Sequence, residues 1–209
     1  MRILQRSVAA WLLCHVLRRR CDEAFSSEFA REDGIIEYGT AILIFCAGLV
    51  LIKLGLRLSG YRRILLFVYA LLFVLAAGEE ISWGQRIFGI QSTEFFLENN
   101  RQQEINLHNL VVNGEQLVSF VFGQLLTVII LLYLVVLPVL HPIAGWVRWI
   151  ADRLAVPVPS RDVAVLAIAW SLLVVWIDLY RNWEVYEFAF SLFVTQIFLT
   201  PVNRRTFRF

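Results

Sequence analysis

The chain has 209 residues, 59% of them hydrophobic and 17% charged, with a formal net charge of +2 and a mean hydropathy of +0.67. This excludes an ordinary soluble domain and indicates an all-α, polytopic membrane protein with room for one membrane domain over residues 1–209. The arginines fall in short membrane-flanking groups and not along one basic face, which excludes nucleic acid as a partner. Cys14, Cys21 and Cys46 are odd in number and argue against a disulfide framework, and there is no P-loop, dinucleotide glycine pattern or metal-type cysteine spacing.

Residues 1–34 form an N-terminal segment with Arg2, Arg6 and Arg18 to Arg20. Its apolar stretch, Ser7 to Leu17, is too short to span, so three readings stand: a short sixth span, a helix lying on the membrane, or a degenerate signal or over-extended start. Residues 35–200 are expected to form a helical bundle of about five spans. They run from Ile35 to about Leu56, Ile64 to Trp83, Leu117 to Leu140, Val163 to Leu179, and Val185 to Thr200. Residues 201–209 follow as a cytoplasmic tail. Two further segments read as interfacial helices. In one, Ile143, Trp146, Val147, Ile150 and Leu154 recur at helical spacing with Arg148, Asp152 and Arg153 off that stripe. The other begins at Glu94, with Thr93 placed to cap it.

Basic residues in short loops set the orientation. Lys53, Arg57, Arg62 and Arg63 join the first two spans without an acid. Arg148, Arg153 and Arg161, then Arg204, Arg205 and Arg208, fall on the same side in a five-span arrangement. That side should be cytoplasmic. The Glu79–Glu115 connection and the Asp178–Glu187 hairpin should face the opposite compartment.

The run Gly78-Glu79-Glu80-Ile81-Ser82-Trp83-Gly84-Gln85-Arg86 is the richest in chemistry. The apolar stretch before it, Ile64 to Ala77, has fourteen residues. A spanning helix needs about 20, so Glu79, Glu80 and Ser82 should complete the span. An ionised side chain costs about 2.5–3.5 kcal/mol at the centre of a membrane helix and less toward its edge, and such residues are rarely kept without a use. A continuous helix would put Glu79, Ser82 and Arg86 on one face, at offsets 0, 3 and 7, with Glu80 about 100° away. This suggests Glu79 and Arg86 as a structural pair. Glu80, Glu104 and His108 are then the candidate catalytic or metal-binding set, Glu104 and His108 being four apart on a helix. Glu37, Asp178, Arg181, Glu184 and Glu187 should reach the same depth as binding or supporting groups. Carboxylates with one His could hold a hard or borderline divalent ion, or act as acid and base at a lipid headgroup. A structural reading competes throughout: salt bridges for the acids and arginines, and a hydrogen-bonded role for the lone His.

The residues Glu32-Asp33-Gly34 with Glu37, the block Gly78 to Gly89 (GEEISWGQRIFG), and Glu104 with Asn106-Leu107-His108-Asn109 resemble a pattern in uncharacterised bacterial polytopic membrane proteins. The resemblance covers the first half of the chain and implies a multi-pass protein of the bacterial inner membrane, with no particular activity. It does not extend to the membrane ceramidase-like hydrolases, which need several His ligands. Three function classes stay open. One is an enzyme acting on a lipid or lipid-linked headgroup, the second a non-catalytic subunit or assembly factor with partner membrane subunits, and the third a transporter or channel. Membrane lipids are the expected surroundings and partners, and a divalent metal is the one cofactor the residues suggest.

Overall fold

A computed structural model describes residues 34–111, 125–177 and 182–207. Their regular secondary structure is helical, and the β-type pairing among them is one isolated bridge between Asn100 and Leu110. Helix α1 (Ile35–Leu56) carries Glu37 in its first turn and Lys53 in its last, each complementing the helix dipole. Helix α2 (Gly60–Glu80) has 21 residues, a rise of about 31 Å, close to the thickness of a bilayer core of about 30 Å. Beyond it lie a single 3₁₀ turn (Ser82–Gly84) and the short helices α3 (Gln85–Phe88) and α4 (Glu94–Asn99).

The next helical stretch is irregular, and proline explains why. Helix α5 (Leu126–Leu131) widens into a π segment (Leu132–Val136) before α6 (Leu137–Ile143). Pro138 has no N–H for the carbonyl of Leu134, so the local hydrogen-bond ladder shifts register there. Pro142 lies in the last turn, and the chain then bends by 118° into α7 (Gly145–Arg153). Helices α8 (Arg161–Ile177) and α9 (Asn182–Leu199) follow.

Among the described residues, α1 and α2 are long and apolar enough to cross a membrane, and Val128–Ile143 with Gly145–Arg153 makes a third candidate as one broken span. This fits a membrane protein with two to three candidate spanning helices. Helices α8 and α9, with 17 and 18 residues, fall outside that set. The beginning of the third expected span and the tip of the expected hairpin, residues 178–181, lie outside the described residues, as do residues 1–33.

Helices α1 and α2 share the largest interface, and α9 packs on the other side of α1. Gly48 makes the first contact close: a Cβ there would lie 3.3 Å from the Ala70 carbonyl oxygen and from Val74. Small residues allow such backbone approach where lipid offers no hydrophobic drive between helices. Thr195 Oγ1 donates to the Leu43 carbonyl at 3.1 Å and ties α9 to α1. The core runs through Leu51, Leu66, Val194, Ile197 and Phe198 to Phe207.

The Arg63 end of the structure is stitched by polar contacts. Asp152 accepts from Asn203 Nδ2 at 2.9 Å and from Thr206 Oγ1 at 2.7 Å, while Asn203 Oδ1 accepts from Val158 N–H. Tyr69 Oη donates to the Leu154 carbonyl, and the Arg153 guanidinium lies over the rings of Tyr61 and Trp149. Residues 201–207 are therefore part of the packed structure, with Phe207 buried. In α7, Val147 and Ala151 face inward, and Trp146, Trp149 and Ile150 are exposed.

Candidate functional site

The expected continuous helix through Arg86 does not form. Helix α2 stops at Glu80, and Ser82, Trp83 and Gly84 all take positive φ, at 46°, 56° and 72°. For a non-glycine residue the left-handed region costs about 1–2 kcal/mol, so side-chain contacts must hold this reversal. Ser82 Oγ donates to Glu104 Oε2 at 2.5 Å, and Trp83 Nε1 donates to Glu79 Oε1 at 2.8 Å. The Trp83 ring lies over Gly78, where a Cβ would come within 2.8 Å of ring atoms. Glycine is the residue that leaves room for the indole.

Nor is the stretch from Asn100 to Leu110 a helix. It is a closed loop, pinned by Arg101 N–H to Asn109 O at 2.9 Å and Val111 N–H to Asn99 O at 2.8 Å. The four-residue spacing of Glu104 and His108 therefore does not put them on one face. Thr93 does precede α4, with its carbonyl accepting from Leu97 N–H and no capping bond from its side chain.

Two polar clusters result. The first is a lock between the turn after α2 and the 100–110 loop. Glu104 is 8% exposed. It accepts from Ser82 and Asn106 and pairs with Arg86. Asn100 donates to both the carbonyl and the side-chain oxygen of Asn106 at 2.9 Å, and Gln85 Oε1 accepts from Ile105 N–H at 2.7 Å. Glu79 accepts the backbone N–H groups of Leu107 and His108, at 2.5 and 3.3 Å, and lies 3.7 Å from His108 Nδ1. Asn109 Nδ2 sits 3.0 Å from His108 Nε2. That contact suits a neutral ring with its proton on Nδ1, toward Glu79. Burial lowers the His108 pKa from its ordinary value near 6.5, and the Glu79 carboxylate pulls in the opposite direction. Arg86 and Glu79, expected as partners, are thus committed to Glu104 and to the Trp83–His108 side of the lock.

The second cluster holds Glu80. Glu80, at the end of α2, meets Glu184 and Glu187 from the start of α9, with one carboxylate oxygen from each within 4.8 Å of the others. Glu37 at the start of α1 is close enough for its charge to act on Glu80 and Glu187. Two unit charges at that separation repel by about 3 kcal/mol at an effective dielectric near 20, and by less at the exposed Glu187. Glu37 and Glu184 have further partners of their own. Asp178 and Arg181, expected at this depth, lie outside the described residues.

The candidate set Glu80, Glu104 and His108 is therefore divided between the clusters, with Glu80 among the acids and the other two in the lock. Of the metal candidates, Glu80 stands in a group with metal-ligand spacing, and its neighbours there are Glu184 and Glu187. Sequence reasoning passed over Gln85 and Asn100. Their signal was the polar density between Gln91 and Asn109, where fourteen of the nineteen residues carry side-chain hydrogen-bonding groups. Beside the lock lies an open depression of about 490 Å³, lined mainly by Gln85, Arg86, Gln91, Ser92, Gln102 and Gln103.

No family model, curated protein or solved structure matches this chain.

Proposed function

We propose that this chain is a five-span protein of the bacterial inner membrane whose periplasmic face binds the cationic group of a lipid or lipid-linked headgroup. The group is an ammonium, or a divalent ion bridging to phosphate. The observation that carries the reading is the convergence of Glu80, Glu184 and Glu187 from two helices. Clustered carboxylates repel unless protons or positive charge join them, and oxygen-only ligands suit ammonium and hard divalent ions. An ammonium donates three hydrogen bonds to such acceptors and a quaternary amine donates none, so ethanolamine headgroups should be held in preference to choline. In the enzymatic form of the reading, Glu80 is the acid–base group. Glu104 and His108, committed to the lock, act by holding position.

A second reading, a non-catalytic subunit of a membrane complex, draws support from the lock itself. There Glu79, Arg86 and Glu104 bond to one another's surroundings and to backbone, as structural groups do. Lipid retention distinguishes the two. The full chain in mixed ethanolamine and choline lipid nanodiscs, released into native mass spectrometry, should keep ethanolamine lipid. The triple variant E80Q/E184Q/E187Q should lose that preference at unchanged thermal stability. Equal retention by both proteins would contradict headgroup binding and favour the subunit.

A further inference from the structure

The segment that follows α2 carries a row of apolar side chains that stand largely exposed among the described residues. Trp83 is 46% exposed, Ile87 56%, Phe88 75% and Ile90 49%. Such a patch in a soluble domain marks a contact surface. Here its position identifies the contact. Helix α2 is about as long as a bilayer core is thick, so the residues just beyond Glu80 lie at the level of the headgroups. Between Ile81 and Thr93 there is no carboxylate, and the single charge, Arg86, is paired with Glu104.

The backbone is built to turn the segment at that level. Three successive positive φ values at Ser82, Trp83 and Gly84 reverse the chain directly after the helix, and Gly89 takes a fourth at 64°. Unfavourable backbone at two non-glycine residues is kept only where the surroundings over-determine it, and here the lock holds it in place. The result is two-sided. Gln85, Gln91 and Ser92 line the open polar depression, while Ile87, Phe88 and Ile90 stay out of it. Trp83 presents its ring and satisfies its N–H on Glu79, the arrangement that suits indole to a membrane interface.

We propose that Ile81–Ile90 is a membrane-seated wedge. In this arrangement Ile87, Phe88 and Ile90 insert into the leaflet at the Glu80 end of α2, and the amide-lined depression faces water. The occupant of the apolar face is lipid, because the face continues from the end of a helix that itself meets lipid. The wedge also sets the height of Glu80 relative to the headgroups. The inference depends on α2 crossing the membrane and not on what the carboxylates bind.

The test is nitroxide depth measurement on the full chain with its native cysteines replaced. Single labels are placed at Ile87→Cys, Phe88→Cys and Ile90→Cys, with Gln102→Cys as the aqueous control, in phosphatidylcholine vesicles containing a minor share of phosphatidylglycerol. Collisions with oxygen should exceed those with a water-soluble nickel chelate several-fold at positions 87, 88 and 90, and the order should reverse at 102. Chelate accessibility at all three positions matching that at 102 would overturn the wedge. Low accessibility to both reagents, with dipolar broadening between labels, would also overturn it, since the face would then be covered by a second copy. Three independent positions keep the test open if one substitution prevents folding.

Discussion

Glu104→Gln isolates the contribution of the lock. The substitution keeps the shape of the side chain and removes its charge. An amide offers one acceptor oxygen where the carboxylate offers two, so either the buried Ser82–Asn106 side or the Arg86 side loses its acceptor. The buried Ser82 bond, 2.5 Å long and charge-assisted, contributes about 1.5–3 kcal/mol. Arg86 is 36% exposed, so water screens its ion pair and the contribution falls to about 0–1 kcal/mol. Together the loss is about 1.5–4 kcal/mol, confined to the turn and the 100–110 loop. Local opening there should become about 10- to 1000-fold more frequent. Amide hydrogen exchange reads this directly at Arg101, Asn106 and Val111, whose N–H groups bond to Asn109, Glu104 and Asn99 carbonyls at 2.9, 2.9 and 2.8 Å. Exchange in α1 and α2 should stay as in wild type, and the exposed Glu98→Gln should change neither region. Unchanged protection at those three amides would refute the lock.

Three further outcomes follow from the same contacts. The folded pKa of His108 lies below its ordinary value near 6.5, so the unfolded loop takes up the proton first. The stability this contributes is present above that pH and is lost as pH falls through the folded value, so loop protection should decline from pH 7 to 5 in wild type and decline less in His108→Asn. Gly78→Ala should lower the melting temperature, because its Cβ would meet the Trp83 ring at 2.8 Å. Helix propensity alone predicts a gain of about 1 kcal/mol, so the sign of the change decides between the two effects. Asp152→Ala should cost about 1–2 kcal/mol and speed tryptic cleavage at Arg204 and Arg205 by releasing Asn203 and Thr206, and an unchanged cleavage rate would show that Phe207 packing alone holds the end.

The parts of this fold that depend on apolar run length were legible in the sequence. The helix over Ile35 to Leu56 was expected with its observed bounds, since an apolar run of that length with polar ends admits few alternatives. The α7 stripe was legible for the same reason, although packing turned Val147 inward and left the two tryptophans outside. Periodicity failed where backbone geometry departs from the helix. Offsets 0, 3 and 7 put Glu79, Ser82 and Arg86 on one face only if φ stays negative through Trp83. Gly84 was the visible turn signal, and the left-handed Ser82 and Trp83 were not readable because non-glycine residues seldom adopt that conformation. The loop from Asn100 to Leu110 misled in a similar way, since its closure depends on side-chain amides and not on any local propensity. The carboxylate convergence was legible as a shared depth of Glu37, Glu80, Glu184 and Glu187. Its separation from Glu104 and His108 was not, because that depends on which way the chain turns after Glu80.

The most direct measurement of the central claim is a Mn²⁺ titration of the full chain in phosphatidylcholine nanodiscs, followed by the loss of the free-ion electron paramagnetic resonance signal. Binding at Glu80, Glu184 and Glu187 predicts a saturable site that E80Q/E184Q/E187Q removes and Glu104→Gln leaves intact. The same titration curve for wild type and the triple variant would contradict the claim that these three carboxylates form a cation-binding site.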